Sequence, residues 1–155
     1  MRVLGIDPGS FSTGYGIIGA QEGLPIYLGD GVISLKGDLL QRLKGLYEGI
    51  KGLITQYQPE AIALESPFVA KNIKSALRLG QIQGVISLAA ADSLLPLYEY
   101  SPMEVKIALT GYGRATKEQV REMVKRLLGL EEDPSLDASD ALAVAICHLH
   151  RAWES

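Results

Sequence analysis

The sequence predicts an α/β fold in which a mixed five-stranded sheet carries helices on both faces. Short apolar runs end abruptly at acidic or turn residues, as buried strands do. Residues 39–57 repeat large apolar side chains at helical spacing. From about residue 60 onward, strand-like and helix-like segments alternate, which is typical of a sheet connected by helices. The 155 residues suit one domain, and we expect a single domain over residues 1–155.

The first three predicted strands lie in the N-terminal part of the chain. Residues 2–6 form an apolar run that the turn residues Asp7-Pro8-Gly9 stop. Residues 14–20 and 26–35 are two further strands, which a turn at Glu22-Gly23 joins into an antiparallel meander.

A helix and a buried strand follow. Residues 39–57 place leucine, isoleucine and tyrosine on one stripe of an amphipathic helix, and Pro59 follows its end. Residues 61–64 are an uninterrupted apolar run that Glu65 ends, which is typical of a central strand buried on both faces.

The C-terminal part supplies one more strand and four helices. Ser101-Pro102 provides a helix cap followed by proline at the first helical position. Thr116 and Gln119 form a capping-box pattern at the start of another helix. The predicted elements here are a helix over about 69–93, a strand near 97–100, and helices near 102–109, from about 116, and from about 135.

The composition excludes several classes of protein. Hydrophobic residues make up 47% and charged residues 21%, which excludes a disordered chain. No apolar run approaches the ~20 residues of a membrane helix, and Asp7 comes too early for the apolar core of a signal peptide. Cys147 is the only cysteine, which excludes an intramolecular disulfide and a cysteine zinc cluster. We therefore expect a protein of the reducing cytoplasm without membrane partners.

The charges are distributed unevenly along the chain. Residues 66–130 hold nine basic and five acidic residues, a balance of +4, while the remainder holds six and thirteen, a balance of −7. Such asymmetry predicts a positive face beside acidic spots, although an uneven solvated surface would look the same.

Four acidic residues stand where acids are unusual. Asp7 and Glu65 each end an apolar strand, and ligands of open α/β sheets bind at strand ends. If these two strands are parallel neighbours, the two carboxylates emerge side by side. Asp137 and Asp140 lie three residues apart at the start of the last helix and project along one edge of its buried stripe.

Together these carboxylates predict a site for divalent cations. Asp7 alone could be a turn residue, and acids in the first turn of a helix are favoured for any function. Four converging carboxylates would repel one another, and one or two hard cations such as Mg²⁺ would relieve the repulsion. Two such ions ~4 Å apart stabilise the attacking and leaving oxygens of an in-line phosphoryl displacement.

Three segments of the chain carry a resemblance to a known family. They are Gly5-Ile6-Asp7-Pro8-Gly9-Ser10 with Thr13-Gly14-Tyr15-Gly16, Ala63-Leu64-Glu65 with Phe68-Val69-Ala70-Lys71-Asn72, and Asp137-Ala138-Ser139-Asp140-Ala141-Leu142-Ala143. In their order and spacing these segments resemble the RuvC family of bacterial Holliday junction resolvases. The resemblance runs from residue 1 to about 150 and implies a ribonuclease H-like fold. It also implies a homodimer that uses Mg²⁺ to nick two opposing strands of a four-way DNA junction.

The resemblance also assigns roles to single positions. It implies two Mg²⁺ ions per subunit, with Mn²⁺ able to substitute, and docking onto the branch-migration proteins RuvA and RuvB. Lys106 and Lys117 match basic residues near the DNA and the active site, and Lys117 is expected to act in catalysis. Phe68 matches an aromatic that stacks on an unpaired base. The positions that match the family's catalytic, metal-binding carboxylates are Asp7, Glu65, Asp137 and Asp140.

The helix predicted over 69–93 presents two faces of interest. Lys71, Lys74 and Arg78 have the spacing of one helical stripe and are expected to bind DNA phosphates, unless they form only a solvated face. Phe68, just before this helix, either stacks on a base or packs into the core. The other face is either core or a two-fold interface, and it carries Ile73, Leu77, Gly84, Val85 and Leu88.

Three other functions stay open from the sequence. The segment 5–10 also resembles the phosphate loop of the actin, sugar-kinase and chaperone ATPase superfamily, whose members hold a nucleotide between two such domains. An RNA-cutting ribonuclease H relative would need contacts to the 2′-hydroxyl. A non-catalytic DNA-binding domain would not need all four carboxylates.

Overall fold

A computed structural model describes residues 1–66 and 71–154, with the side chains of 153 and 154 excepted. Five strands and five helices lie in these ranges. The strands are β1 (Arg2–Asp7), β2 (Ser12–Gln21), β3 (Leu24–Ser34), β4 (Ala61–Glu65) and β5 (Leu97–Tyr100). The helices are α1 (Leu39–Tyr57), α2 (Ile73–Asp92), α3 (Pro102–Thr110), α4 (Lys117–Leu128) and α5 (Leu136–Glu154).

The five strands form one mixed sheet in the order β3-β2-β1-β4-β5. The first three are antiparallel neighbours, while β1–β4 and β4–β5 are parallel. This confirms the predicted mixed sheet and its meander. The second strand begins two residues earlier than predicted, at Ser12, because its pairing with β3 continues to Ser34.

The helices cover both faces of the sheet, as predicted. Alternating side chains of each strand point to opposite faces, so that Val3 packs with α3, α4 and α5 while Leu4 packs with α1 and α2. On β4, Ala63 packs with α3, α4 and α5, while Ile62 packs with α1 and α2. The central strands are therefore buried on both sides, which explains why they have almost no polar residues.

The helix predicted over about 69–93 begins later than predicted, at Ile73. The side chain of Asn72 caps α2 by accepting a hydrogen bond from the amide of Ser75 at 2.8 Å. Lys71 therefore precedes the helix, and its predicted place on one helical stripe with Lys74 and Arg78 is wrong. Asparagine is among the preferred N-cap residues, because its oxygen satisfies an amide that the first turn leaves unpaired.

Glycines allow the last helix to lie directly on the sheet. A Cβ atom at Gly5 of β1 would collide with the carbonyl oxygen of Ala141, and one at Gly14 of β2 would collide with that of Asp137. No larger residue fits at either position. This close approach sets the depth at which the acidic first turns of α5 meet the ends of the strands.

Replacing Gly5 by alanine should push α5 away from the sheet and lower the free energy of unfolding by about 3 kcal/mol. Urea denaturation monitored by circular dichroism measures the effect. The matched control is Gly52→Ala on α1, where a Cβ meets no atom within 4 Å. There alanine should stabilise the protein by about 0.5–1 kcal/mol, because it favours the helix. Equal stability of Gly5→Ala and the wild type would contradict the proposed packing constraint.

Candidate active site

Two of the four predicted carboxylates lie side by side at one edge of the sheet. Strands β1 and β4 are parallel, and Ile6 pairs with Leu64. The next residues, Asp7 and Glu65, therefore leave the carboxyl ends of adjacent strands together. This is the arrangement that the sequence predicted if the two strands were neighbours.

The last helix brings the other two carboxylates to the same edge. Carboxylate oxygens of Asp7, Glu65 and Asp140 all lie within 4.8 Å of one another, and each residue is half-buried. Asp137 lines the same cleft one turn earlier, but it lies outside this group of three. Its Oδ2 accepts a hydrogen bond from the hydroxyl of Ser12 at 3.1 Å.

Two lysines from different helices complete the cleft, which has a volume of about 370 Å³. Lys106 comes from the middle of α3, and Lys117 is the first residue of α4. A cation is unfavourable at a helix N-terminus because the helix dipole is positive there, and the carboxylates across the cleft compensate for it. The apolar part of the lining comes from Pro8, Pro102, Val105, Val120 and Ala143.

Asp7, Glu65 and Asp140 hold their protons more tightly than exposed acids do. Burial, followed by the charges of Asp140, Glu65 and Asp137, raises the pKa of Asp7 to about 8, against the opposing effect of Lys117. Burial and the charge of Asp140 raise the pKa of Glu65 to about 7, while Lys117 and Lys106 oppose the rise. Burial also raises the pKa of Asp140. The two lysines therefore do not balance the negative charge of the cluster.

This donor set fits a divalent metal ion. Carboxylate oxygens are the ligands that hard cations such as Mg²⁺ prefer. Asp7, Glu65 and Asp140 converge closely enough for their oxygens to share one cation. Burial and, after it, repulsion between the carboxylates raise the pKa values of these three groups, and a bound cation would compensate for the repulsion.

The metal-free cluster should weaken the fold as the pH rises. Asp7 ordinarily titrates near 3.8, so between about pH 4 and pH 8 the unfolded chain releases a proton that the folded protein retains. Stability falls across this range. In EDTA at pH 8, Asp7→Asn should therefore raise the Tm by about 3–6 °C and should have little effect at pH 4.

Differential scanning calorimetry measures this shift, and Asp133→Asn is its control. An ion pair of 2.9 Å with Lys125 lowers the pKa of Asp133, so its loss should not stabilise the protein. Adding Mg²⁺ should raise the Tm of the wild type but not that of Asp7→Asn. A lower Tm of Asp7→Asn at pH 8 in EDTA would contradict the raised pKa of Asp7.

The structure separates the predicted residues into groups. Six of them line one cleft, namely Asp7, Glu65, Asp137, Asp140, Lys106 and Lys117. Lys74 and Arg78 lie together in another pocket, next to Ser10 and Phe11. Lys71 is exposed just before α2, and Phe68 lies outside the described residues.

Sequence reasoning missed two side chains of the site region. Ser12 binds Asp137 across 125 residues of sequence, so no local pattern could reveal the contact. Arg42 is buried on α1, and its guanidinium donates to the carbonyl of Ser10 at 2.7 Å. An arginine in line with the apolar residues of α1, at the N-terminal end of their stripe, was the only available signal for it.

No helix within the described ranges is long and apolar enough to cross a bilayer.

Comparison with known proteins agrees with this geometry. The family model for the crossover junction endodeoxyribonuclease RuvC matches residues 3–148. The RuvC protein of Geobacter sp. (strain M21) is 50% identical over 157 residues, covering 100% of this chain and 96% of that protein. The RuvC protein of Shewanella frigidimarina is 51% identical over 149 residues, covering 96% of this chain and 86% of that protein.

Solved structures show the same fold. T. thermophilus RuvC in complex with a Holliday junction substrate superposes with a TM-score of 0.92 at 34% identity, covering 98% of this chain and 94% of that one. The yeast mitochondrial Holliday junction resolvase Ydc2 superposes with a TM-score of 0.67 at 18% identity, covering 96% and 78%. The latter likeness concerns the fold alone. Together the two structures confirm the predicted ribonuclease H-like fold.

The comparisons decide among the functions that the sequence left open. The family match extends over nearly the whole chain, and it favours none of the ATPase, RNA-cutting and non-catalytic alternatives. The carboxylate cleft is what a metal-dependent nuclease of this fold requires. The chain therefore belongs to the RuvC family of crossover junction endodeoxyribonucleases.

Proposed function

We propose that this protein, as a homodimer, resolves four-way DNA junctions by paired symmetric nicks during homologous recombination and DNA repair. Residues 1–155 act as one nuclease domain and leave 5′-phosphate and 3′-hydroxyl ends. One observation carries the proposal: three carboxylates converge within 4.8 Å in a cleft that also contains two lysines. The junction-bound T. thermophilus relative supports the choice of DNA substrate.

Asp7, Glu65 and Asp140 would hold Mg²⁺, and Asp137 would join them if two ions bind in each subunit. When bound, such ions supply the charge that stabilises the attacking and leaving oxygens of an in-line displacement. Mn²⁺ should substitute because it also prefers oxygen ligands. Ca²⁺ should permit binding with little cutting, because its looser coordination misplaces the reacting oxygens.

The other residues of the cleft position the substrate. Lys106 and Lys117 provide ammonium groups for the non-bridging oxygens of the scissile phosphate. The hydroxyl of Ser12 restricts the rotation of the Asp137 carboxylate by donating to its Oδ2. Phe68 would stack on an unpaired base at the crossover, and Lys71, Lys74 and Arg78 would bind phosphates beside the cleft.

A stripe on α2 supports the proposed homodimer. Ile73, Leu77 and Leu88 are 80%, 67% and 55% exposed and share one helical face. Gly80 and Gly84 lie between them, and a Cβ at either position would meet no atom within 4 Å. Contiguous exposed apolar side chains mark interaction surfaces. A second copy of this chain suits the surface, because a two-fold dimer supplies one cleft for each of the two strands to be cut.

Incubation with a synthetic four-way junction and a linear duplex tests the proposed activity. Paired nicks should appear on the junction only, and only with Mg²⁺ or Mn²⁺. Equal cutting of the linear duplex would contradict the junction-specific part.

Leu77→Glu should disrupt the dimer, because it places a charge in the centre of the apolar stripe. Analytical ultracentrifugation should give a monomer for this variant and a dimer for Leu40→Glu, which changes an exposed leucine on α1. A dimeric Leu77→Glu would show that another surface forms the interface. Docking onto RuvA and RuvB, which the resemblance implies, stays a prediction.

A further inference from the structure

A second pocket of about 300 Å³ lies between the loop that follows β1 and the first turns of α1 and α2. Pro8 of the same loop lines the active-site cleft. Among the residues that the structure describes, three cations, two serines and one aromatic ring line it, and none of these lining residues is acidic. The lining residues are Ser10, Phe11, Arg42, Lys74, Ser75 and Arg78.

Arg42 is the unusual member of this pocket. Its side chain is 7% exposed, and the Ser10 carbonyl is its only hydrogen-bond acceptor in the described part of the chain. The buried Nε has no partner there. An unpaired buried donor is costly, and natural structures almost always satisfy such groups with a protein atom, water or a ligand. Within residues 1–66 and 71–154 the Arg42 guanidinium also forms no ion pair, so the pocket carries an unbalanced positive charge and a demand for an anion.

Lys74 and Arg78 add to this demand. They are four residues apart on the first two turns of α2, where like charges repel. Within residues 1–66 and 71–154, neither side chain forms an ion pair. A bound anion would relieve this repulsion. It would also interact favourably with the positive, N-terminal end of the helix dipole.

Phe11 indicates which kind of anion the pocket suits. Its side chain is 71% exposed, although one face of the ring is covered by the Arg42 guanidinium at 4.3 Å from the ring centroid. The opposite face is available for stacking. Surfaces that bind a nucleic acid strand typically combine cations, which bind the phosphate backbone, with an aromatic ring, which stacks on a base.

The loop that carries Phe11 also connects the pocket to the carboxylates. Asp7 lies four residues before Phe11, so their α-carbons are at most ~14 Å apart. Ser12, the residue after Phe11, donates to the catalytic-site residue Asp137. A strand whose scissile phosphate lies at the carboxylates could therefore reach the pocket within a few nucleotides.

We propose that this pocket binds a backbone phosphate of the strand being cut, with Arg42, Lys74 and Arg78 around the phosphate and Phe11 against the adjoining base or sugar. The inference rests on the proposed junction-cutting function and adds a second anchoring point to it. Anchoring the DNA strand on both sides of the loop 8–11 would align the scissile phosphate with the carboxylates.

Salt titration of junction binding in Ca²⁺ tests the pocket. Lys74→Ala, Arg78→Ala and Phe11→Ala change side chains that are at least partly exposed, so the fold should persist. Lys74→Ala and Arg78→Ala should each reduce the slope of log K against log salt by about 0.9. The loss of affinity relative to the wild type should therefore be roughly eightfold greater at 0.1 M salt than at 1 M salt. Phe11→Ala should weaken binding about fivefold or more without changing the slope. The control is Lys44→Ala, an exposed lysine on α1 outside the pocket.

A scan of neutral methylphosphonate linkages locates the phosphate. For the wild type, a methylphosphonate at one position within a few nucleotides of the cut site should weaken binding. For Arg78→Ala, the same change in the DNA should cause no further loss of affinity, because the contact is already absent. If the pocket variants behave like Lys44→Ala while the wild type binds and cuts the junction, the pocket proposal is wrong and the proposed function stands. If the wild type does not bind the junction, the proposed function itself fails.

Discussion

Replacing Asp7 by asparagine should lower the rate of junction cleavage at least ~10³-fold, and Glu65→Gln and Asp140→Asn should have effects of similar size. Each amide keeps the shape of the side chain but removes one of the charges that would hold the metal ion. Junction binding should be unchanged or tighter, because the amide also relieves repulsion between the cluster and the DNA phosphates. The effect should therefore appear in the rate of cutting and not in affinity.

Single-turnover cleavage at saturating enzyme separates these two quantities. Asp133→Asn is the matched control, because this exposed aspartate lies outside the cleft and should leave cutting at the wild-type rate. Asp137→Asn should have a smaller effect, since Asp137 lies outside the group of three convergent carboxylates and its Oδ2 already accepts from Ser12. Cutting by Asp7→Asn at near the wild-type rate would show that the proposed site is wrong.

Lys117→Ala should reduce the single-turnover rate by about 10²–10³-fold while changing the affinity for the junction much less. Lys117 lies at the N-terminus of α4, inside the cleft that holds Asp7 and Glu65. There its ammonium group can stabilise charge that grows on the phosphate in the transition state. Lys117→Arg should recover little activity, because the planar guanidinium is larger and orients its donors differently.

The same helix provides the control for this experiment. Arg126 lies in the last turn of α4, is exposed and pairs with Glu122, so that Arg126→Ala should cut normally. If Lys117→Ala cuts at the full rate once it is bound, Lys117 is only a phosphate contact and its catalytic assignment should be abandoned.

Local patterns predicted most of the secondary structure because each element depends on nearby residues. The helix over 39–57 has both predicted bounds, since Asp38 and Gln41 form a capping box at its start and the chain turns at Gln58 before Pro59. The turn between β2 and β3 and the strand β4 were also predicted from nearby residues, the turn from its glycine and the strand from its apolar run. The wrong prediction at Lys71 arose because charge spacing was given more weight than the capping preference of Asn72.

The face of α2 shows where local information ends. The same apolar residues would suit a buried core or an interface, and no periodicity distinguishes the two. Only the packing of the chain shows that Leu77 is exposed while Ile82 and Ile86 of the same helix are fully buried.

The strand–helix order, the four acidic positions and the family could be predicted from the amino-acid sequence, because they depend on short motifs in a set order along the chain. Which side chains meet depends on the packing of the folded chain. The pairing of β1 with β4 joins Asp7 to Glu65, and the close approach of α5 to Gly5 and Gly14 brings Asp140 to both. The pocket around Arg42 likewise depends on contacts between residues more than thirty positions apart. Contacts at such separation follow from how whole elements pack, which no local pattern of residues specifies.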